Sequence, residues 1–404
     1  MHILLIHQAF AALDEPGGTR HHELARFFAE HGHQVTIITS PISYLTGKAG
    51  KSKIPWVEKQ TDGEHITILR AYAYPALHRS FAHRVVNFIS FMLSSFLIGL
   101  KVKNVDVVWG TSPPIFQGMT AWAMARIKRI PFLFEVRDLW PAFAVAVGVL
   151  RQPLLIKASE WLERFLYHRA DLVVVNSPGY IQHVKERGAR RVELVQNGTD
   201  TSMFNPGIDG TEFRRRNGIE GMFVALYAGA HGLSNDLGVV ISAAQKIQSC
   251  TNIVIVLLGD GKDKPALQAQ AEGAGLSNIL FLPPIPKVEM PYALAAADCC
   301  IAILKPLELY KTTYPNKVFD YMAAGKPVVL AIDGVIRMVI DQAHGGIAVP
   351  PGHPDALADA ILCLADDPEK ATCMGLQGRI YVEQHFDRAT LASKFLDLLV
   401  GLVS

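Results

Sequence analysis

The densest group of side chains that could bind a charged ligand lies in residues 305–329. Three lysines lie in or beside a loop that Pro315 breaks, and Asn316 and Lys317 open a predicted helix. A helix N-terminus that carries a lysine suits a diphosphate, because backbone N–H groups bind some oxygens while the ammonium neutralises the rest. Asp320, one turn into the helix, is predicted to accept hydrogen bonds from ribose hydroxyls. A capped amphipathic helix alone would not explain the clustered lysines.

Two further loops follow predicted strands, and ligands of parallel sheets bind beyond the carboxyl ends of strands. Gly17 and Gly18 precede a helix, where free N–H groups favour a phosphate, although a plain turn explains the glycines equally well. Gly229 and His231 follow the first strand of the second half. A lone histidine is more often satisfied within its loop than bound to a ligand, but the glycine setting favours a site.

Arg137 and Asp138 follow the predicted strand PFLFEV. A structural ion pair beside Glu135 is one interpretation, and the position at a strand end favours a site role. No Asp-x-Asp pair occurs in the loop GDGKDK, and the five cysteines show no metal-ligand spacing. We therefore expect neither a metal nor a cofactor.

Short apolar runs alternate with helical patterns in two series, which is typical of βαβ units. The predicted strands of the first series are 2–7, 34–39, 65–70, 105–109, 131–136, 171–175 and 191–195, and those of the second are 222–228, 253–258, 279–282, 299–303, 327–331 and 347–349. Helical patterns fill gaps of the second series at 235–248, 287–296, 316–324 and 353–366. The sequence thus predicts two Rossmann-like, doubly wound parallel-sheet α/β domains in tandem.

The domain boundaries follow from these two series. A chain of 404 residues, half of them apolar and 19% charged, is too long for one ordinary core and too apolar for a disordered protein. We expect an N-terminal domain over 1–200 and a second domain over 201–385, with the turn-rich stretch 197–207 as the linker. A C-terminal helix, 386–404, is expected to cross back to the N-terminal domain.

One segment departs from the alternating pattern, since residues 85–100 contain no charge and Lys101 follows them. Sixteen residues fall short of the roughly 20 needed to span a bilayer. A buried helix is one interpretation. The basic flanks, and 23 Lys+Arg against 16 Asp+Glu in residues 1–200, favour a helix lying in the interface of an anionic membrane. The basic residues are scattered, so no nucleic-acid partner is expected.

The order of motifs along nearly the whole chain resembles the family 4 glycosyltransferases, which are retaining enzymes of the GT-B fold. GGTRHHELARFFAEHGHQVTIIT is similar to that family's glycine-rich loop and first helix, and VQNGTDTSMFNP to its interdomain segment. PNKVFDYMAAGKPVV is the closest match, and with EVRDLWP it indicates the branch that acts on polyprenyl-linked bacterial surface glycans. The resemblance implies two Rossmann-like domains that face each other across a cleft.

The chain departs from the family pattern at three places. The donor-binding Glu-x7-Glu falls on Thr312 and Asp320, the usual histidine falls on Arg137, and AHGLSND replaces a basic pair after the first strand of the second domain. The resemblance then implies catalytic roles for Asp138, Arg137 and Lys317. It implies donor binding by Gly17, Gly18, Gly229, His231, Thr312, Asn316, Lys317 and Asp320.

The implied reaction is retaining transfer of a hexosyl or N-acetylhexosaminyl group from a nucleotide diphosphate sugar, UDP-linked, to a polyprenyl-diphosphate-linked or glycan acceptor. The expected context is bacterial surface polysaccharide synthesis, with the protein peripheral on the inner, cytoplasmic face of the membrane. Two alternatives stay open. One is a nucleotide-sugar epimerase of the same architecture, and the other is a non-catalytic partner of a membrane glycosyltransferase, which Thr312 and the missing basic pair favour.

Overall fold

The computed structural model describes residues 1–404 except 16, 44–46, 48, 50–52 and 76–80. The chain forms two compact units. Unit 1 comprises Met1–Leu13, Gly17–Gln196 and Ala389–Ser404, and unit 2 comprises Asn197–Arg388 with the short segment that begins at Asp14. The boundary after Gln196 lies four residues before the predicted one.

Unit 1 is built on an eight-stranded sheet with the order β3-β4-β2-β1-β5-β6-β7-β8. Its strands are β1 (His2–Ile6), β2 (Gln34–Thr39), β3 (Val57–Asp62), β4 (Ile66–Ala71), β5 (Val107–Ser112), β6 (Phe132–Val136), β7 (Leu172–Val175) and β8 (Val192–Leu194). All neighbouring strands pair in parallel except β3 and β4. The strand order reverses between β1 and β5, so a ligand crevice is expected at their carboxyl ends.

The sequence patterns missed β3, which pairs antiparallel with β4 at the sheet edge. Its sequence, VEKQTD, is polar and largely exposed. An edge strand needs no buried face, so it carries no alternating apolar signal. The turn at Gly63, with φ of +69°, joins the two strands.

The helices of unit 1 are α1 (Arg20–Glu30), α2 (Phe81–Leu100), α3 (Phe116–Lys128), α4 (Ala142–Ala146), α5 (Pro153–Arg169) and α6 (Ile181–Glu186). Those of unit 2 are α7 (Thr211–Asn217), α8 (Leu237–Lys246), α9 (Lys264–Gly273), α10 (Met290–Ala295), α11 (Asn316–Ala323), α12 (Val335–Ala343), α13 (Pro354–Asp366) and α14 (Pro368–His385). The last helix, α15 (Arg388–Val403), returns to unit 1, where Leu391, Phe395 and Leu399 join the core around β1.

Unit 2 has a fully parallel six-stranded sheet with the order β11-β10-β9-β12-β13-β14. Its strands are β9 (Phe223–Ala228), β10 (Ile253–Leu258), β11 (Ile279–Leu282), β12 (Cys299–Ile303), β13 (Val328–Ala331) and β14 (Gly346–Ala348). Two apolar clusters share the side chains of these strands, as a sheet covered by helices on both faces requires. The predicted fold class, two doubly wound parallel-sheet domains, is confirmed.

The predicted linker is an ordered part of unit 2. Phe204 is fully buried in its core, and the Asn197 side chain donates a hydrogen bond of 2.8 Å to the carbonyl of Tyr314. Polar turn residues indicated a connection here, but the buried Phe204 and the Asn197 hydrogen bond hold the segment within unit 2.

The predicted apolar helix is α2, which begins four residues earlier than expected. Within the described residues, it is the one helix long and apolar enough to cross a membrane by length and composition. One side is buried and includes Asn87, Phe91 and Ser94. The other side exposes a stripe of large apolar residues: Val86, Ile89, Leu93, Leu97 and Leu100. The buried side agrees with a helix packed against the sheet, and membrane contact by the exposed stripe stays a prediction.

The packing of α15 gives a stability prediction. Phe395 is fully buried, with its ring centroid 4.7 Å from that of Trp109 and 5.9 Å from that of Phe28. Phe395→Ala should lower the free energy of unfolding by about 3–5 kcal/mol in urea denaturation, because it removes buried area and leaves a cavity. Val400→Ala, on the exposed side of α15, should change it by less than about 0.5 kcal/mol. Equal effects would contradict this role of α15.

Candidate active site

In unit 2, two glycine loops approach each other at the carboxyl ends of β9 and β10. Gly229 has φ of +148° and Gly259 has φ of +147°, a region that side chains disfavour. A Cβ on Gly229 would lie 2.6 Å from the Lys317 Nζ, and one on Gly259 would lie 1.9 Å from the Gly229 carbonyl oxygen. Backbone blocks a side chain at Gly259, and the positive φ strains one at Gly229.

Lys317 lies in the first turn of α11, which follows β12, the neighbour of β9 in the sheet. Its ammonium nitrogen is buried, has no hydrogen-bond partner among the described residues, and lies 3.7 Å from the centroid of the Tyr227 ring. Burial lowers the pKa of Lys317 to about 7. The buried Asn316 Oδ1 beside it also lacks a partner in the described part of the chain.

His231 adds two more unsatisfied atoms to the same loops. The residue is fully buried, and neither ring nitrogen has a hydrogen-bond partner among the residues that the structure describes. Burial first, and then the charges of Lys264 and Lys317, lower the pKa of His231 to about 4. The neutral imidazole and the ammonium of Lys317 thus lie beside the Gly229 turn, with no acceptor for either in the described part of the chain. Buried polar groups of this kind are normally paired, so the corner is suited to an anionic ligand such as a diphosphate.

Two predicted donor-binding residues, Thr312 and Asp320, have hydrogen-bond partners within the chain. The Thr312 hydroxyl donates a hydrogen bond of 2.6 Å to the Leu309 carbonyl within a short 3-10 helix. The Asp320 carboxylate accepts a hydrogen bond from the Thr199 hydroxyl at 2.7 Å and pairs with the Lys287 ammonium at 2.5 Å. Each carboxylate oxygen can accept a further hydrogen bond, so the bond from Asp320 to a ribose stays a prediction.

In unit 1, the loops after β1 and β6 bring predicted and unpredicted residues together. The Nη1 of Arg137 is 3.4 Å from the His7 Nε2, and the Nδ1 of His7 is 2.7 Å from the Thr111 hydroxyl. A Cβ on Gly18 would lie 3.7 Å from the Arg137 Nη2, so the glycine loop faces this guanidinium. Gly17 has φ of +151° and leaves no room for a Cβ beside Ala11. The donor role of both glycines stays a prediction.

A buried ion pair between Arg20 and Glu135 links residues next to these two loops. Glu135 accepts hydrogen bonds from the Arg20 Nε at 3.0 Å and from Trp109, and pairs with His21 at 2.8 Å. Burial alone would raise the pKa of Glu135, but His21 and Arg20 together hold it well below its usual range. Arg20 also donates to the carbonyls of Val195 and Gln196, which end the β8 segment.

Asp138, in the loop after β6, has a raised pKa. Burial raises its pKa to about 7, and the nearby charge of Arg137 limits the rise. A carboxyl whose pKa lies near the working pH suits general acid–base chemistry. Its catalytic role stays a prediction.

Sequence reasoning missed Tyr227, His7 and Lys287 because nothing in their local patterns marks them. Tyr227 lies within an apolar strand, and His7 directly follows one. Their position near the carboxyl ends of these strands was the signal that could have indicated a site. Lys287 gave no signal, since its partner Asp320 is 33 residues away. Among the described residues, no group of three or more His, Cys, Asp or Glu is arranged to hold a metal ion.

The two sheets, each with a polar cluster at its carboxyl edge, define an α/β protein of the GT-B class. Residues 17–198 match the family model described as "Glycosyl transferase 4-like domain", and residues 223–367 match "Glycosyl transferases group 1". The chain belongs to the family 4 glycosyltransferases, and the predicted family and enzyme class are confirmed.

Individual relatives agree with this assignment. WcaI of Escherichia coli (strain K12), named as a colanic acid biosynthesis glycosyl transferase, is 24% identical over 94% of this chain and 95% of its own length. Sucrose-phosphate synthase from Thermosynechococcus elongatus superimposes with a TM-score of 0.80 at 19% identity, covering 99% and 98% of the two chains. Anabaena Alr3699/HepE in complex with UDP-glucose gives a TM-score of 0.72 at 17% identity over both full chains.

The buried ammonium of Lys317 gives a pH prediction. Its pKa is about 7 in the folded chain against an ordinary 10.5, so the unfolded state binds more protons between these values. The folded state should therefore gain stability as pH rises from about 7 toward 10.5. Lys317→Met should flatten that slope and stabilise the chain at pH 7, because it removes an unpaired buried charge. Urea denaturation at several pH values measures this, with the exposed-site variant Lys246→Met as control. Identical slopes for Lys317→Met and wild type would refute it.

Proposed function

We propose that the protein transfers a sugar from a nucleotide diphosphate sugar, UDP-linked, to a lipid-linked acceptor in the synthesis of a surface polysaccharide. The observation that carries the proposal is the buried Lys317 ammonium beside His231 and the Gly229 turn, which has no hydrogen-bond partner within the ranges that the structure describes. These groups lie at the carboxyl edge of a doubly wound sheet, where nucleotides bind in such folds. The HepE structure in complex with UDP-glucose supports a UDP-linked donor. The naming of WcaI for colanic acid biosynthesis supports a role in polysaccharide synthesis.

In this proposal, unit 2 holds the donor. The diphosphate accepts hydrogen bonds from the N-terminal N–H groups of α11, from Asn316 at the same helix end by its amide N–H, and from Lys317. The leaving diphosphate gains negative charge as the sugar bond breaks, so a fixed ammonium in a desolvated corner stabilises the transition state more than the ground state. The proposed reaction needs no metal ion, since these donors neutralise the leaving group.

Unit 1 is proposed to hold the acceptor near Arg137 and Asp138. Asp138 is proposed to accept a hydrogen bond from the reacting hydroxyl and so to orient it, without taking its proton. Retention of configuration is proposed from the family, with the departing phosphate taking the acceptor proton. Of the three functions that the sequence allows, membership of a glycosyltransferase family favours transfer over epimerisation or a non-catalytic role.

The exposed side of α2 is proposed to contact the inner leaflet of an anionic cytoplasmic membrane. Its five exposed apolar residues follow helical spacing and are between 39% and 56% accessible. Arg84, Lys101 and Lys103 flank the stripe, and residues 82–105 contain no Asp or Glu. An apolar stripe with cationic ends complements anionic headgroups over an acyl layer. A peripheral position would bring a lipid-linked acceptor to unit 1.

The donor assignment predicts that UDP raises the melting temperature of the wild-type chain, because a ligand bound only by the folded state must stabilise it. Lys317→Ala should remove this shift and abolish sugar transfer while the chain still folds. Lys246→Ala removes an exposed lysine at the far end of α8 and should keep the full shift. A Lys317→Ala protein that binds UDP and turns over like wild type would refute the assignment.

The membrane assignment predicts that Leu93→Asp/Leu97→Asp lowers cosedimentation with phosphatidylglycerol vesicles, since two carboxylates would enter the apolar layer. The two leucines are 56% and 49% accessible, so the fold should tolerate the change. Leu376→Asp, at an equally exposed leucine of unit 2, is the matched control and should bind vesicles like wild type. Equal vesicle binding by all three proteins would contradict the assignment.

A further inference from the structure

Three half-buried aromatic side chains, Phe88, Phe116 and Trp140, form an aromatic row in unit 1. The row runs from α2 through the start of α3 to the loop after β6. The Phe88 and Phe116 rings are stacked with centroids 5.8 Å apart, and the Phe116 and Trp140 centroids are 6.1 Å apart. Large aromatic side chains are usually well buried, yet each of these keeps part of its surface accessible. The aromatic row therefore offers apolar surface to a ligand.

Buried hydrogen bonds fix the first two rings of the row. Asn87 precedes Phe88, and Gln117 follows Phe116. The Gln8 side chain donates to the Asn87 Oδ1 at 2.7 Å, and the Gln8 backbone N–H donates to the Gln117 Oε1 at 2.5 Å. All three polar residues are buried. The rings are thus held in place by their chain neighbours, so a ligand that contacts them pays little to order the site.

The two ends of the aromatic row differ in chemistry. At one end, Phe88 is the chain neighbour of Ile89, which belongs to the exposed stripe of α2. At the other end, Trp140 lies three residues after Arg137, whose Nη2 faces the Gly18 loop. A guanidinium binds phosphate groups well, and aromatic faces bind apolar chains. A ligand that matches both ends has an apolar tail and an anionic head.

The spacing of the rings favours a branched chain over a straight one. Separate ring faces, tilted by 29° and 58° between neighbours, give a ligand distinct apolar contacts and not one flat surface. An isoprenoid chain carries a methyl branch and a double bond in every unit, so successive units can pack on successive rings. The straight acyl chain of a membrane phospholipid has no such repeat.

We propose that the aromatic row binds the first isoprenoid units of the acceptor lipid, and that Arg137 binds the diphosphate that follows them. The inference rests on the proposed function, because it assigns a binding surface to the lipid of the same acceptor. The exposed stripe of α2 would contact the bilayer, and the aromatic row would lead the lipid from it to the loop that carries Asp138. This places recognition of the lipid in α2, α3 and the loop after β6.

The test measures binding of farnesyl diphosphate to the full chain by calorimetry, with UDP at saturating concentration so that the donor corner is occupied. Pentadecyl diphosphate is the comparison, since it has as many carbon atoms in an unbranched, saturated chain. Wild type should prefer farnesyl diphosphate by about tenfold, because its branches fit the rings. Phe116→Leu keeps apolar volume but removes the central ring, so it should abolish this preference. Equal binding of the two lipids by wild type would overturn the proposal.

Three further variants sharpen the test. Trp140→Leu should also abolish the preference, and it carries the test if Phe116→Leu does not fold. Tyr292→Leu, at a 55% exposed aromatic residue of unit 2, is the matched control and should keep the wild-type preference. Arg137→Gln should weaken both lipid diphosphates by the same factor, because it removes the cation that binds their common head. A preference that survives in both Phe116→Leu and Trp140→Leu would refute the role of the row.

The same proteins separate this inference from the donor assignment. If UDP does not raise the melting temperature of wild type, the donor assignment fails, and titration of Lys317→Ala without UDP still decides whether the row selects the isoprenoid chain. If UDP stabilises the chain but displaces farnesyl diphosphate completely, the lipid binds in the donor corner. In that case the proposed lipid site is wrong while the donor assignment stands.

Discussion

An ammonium group enclosed without a counter-charge is the constraint on which the chemistry of unit 2 depends. Lys317 lies against the face of Tyr227, and among the described residues no oxygen accepts from its Nζ. Cation–π contact offsets part of the desolvation, but it leaves the charge unneutralised. The turn at Gly229 has φ of +148°, which favours glycine, and the ammonium lies close to the space that a side chain would fill. The fold thus maintains an unfavourable charge that an anionic ligand would satisfy, as expected where stability is given up at a functional site.

The parts of the structure that sequence could predict are those with a local signal. Buried parallel strands are continuous apolar runs, so the strands of both sheets and the two-domain class follow from their pattern. Lys317 and Gly229 were each predicted from a loop after a strand, and the structure brings them together because β9 and β12 are sheet neighbours. The polar edge strand β3 carried no comparable signal, whereas the unit boundary after Gln196 coincides with the start of the turn-rich stretch 197–207.

Long-range polar contacts could not be predicted. Thr199 and Asp320 are 121 residues apart, and Arg20 and Glu135 are 115 apart, so neither pair leaves a trace in spacing. These contacts form the surroundings of the predicted residues. Asp320 meets the family pattern in sequence, but its carboxylate is engaged by Thr199 and Lys287. Conversely, Glu135 was noted only as a neighbour of Arg137, and it is the buried anion that organises the strand ends of unit 1.

The two sides of α2 differ in burial and in polarity. Its buried side is polar as well as apolar, since Asn87 accepts a hydrogen bond from the Gln8 side chain and donates one to the Tyr74 carbonyl. Gln8 follows β1, so the helix is joined to the loop that opens the unit 1 crevice. Its outer side is apolar and flanked by cations. In the proposed function, the surface that contacts lipid and the loop that contacts the acceptor are therefore parts of one packed element.

The most direct test of the account is whether ligand binding charges Lys317. UDP-glucose carries no group that titrates near pH 7, so calorimetry at pH 7 in buffers of different ionisation enthalpy reports protons taken up by the protein. With the pKa of Lys317 lowered to about 7 in the free chain, binding should take up a fraction of a proton per site, and Lys317→Met should take up none. Binding of UDP-glucose without proton uptake, or uptake that persists in Lys317→Met, would contradict the account.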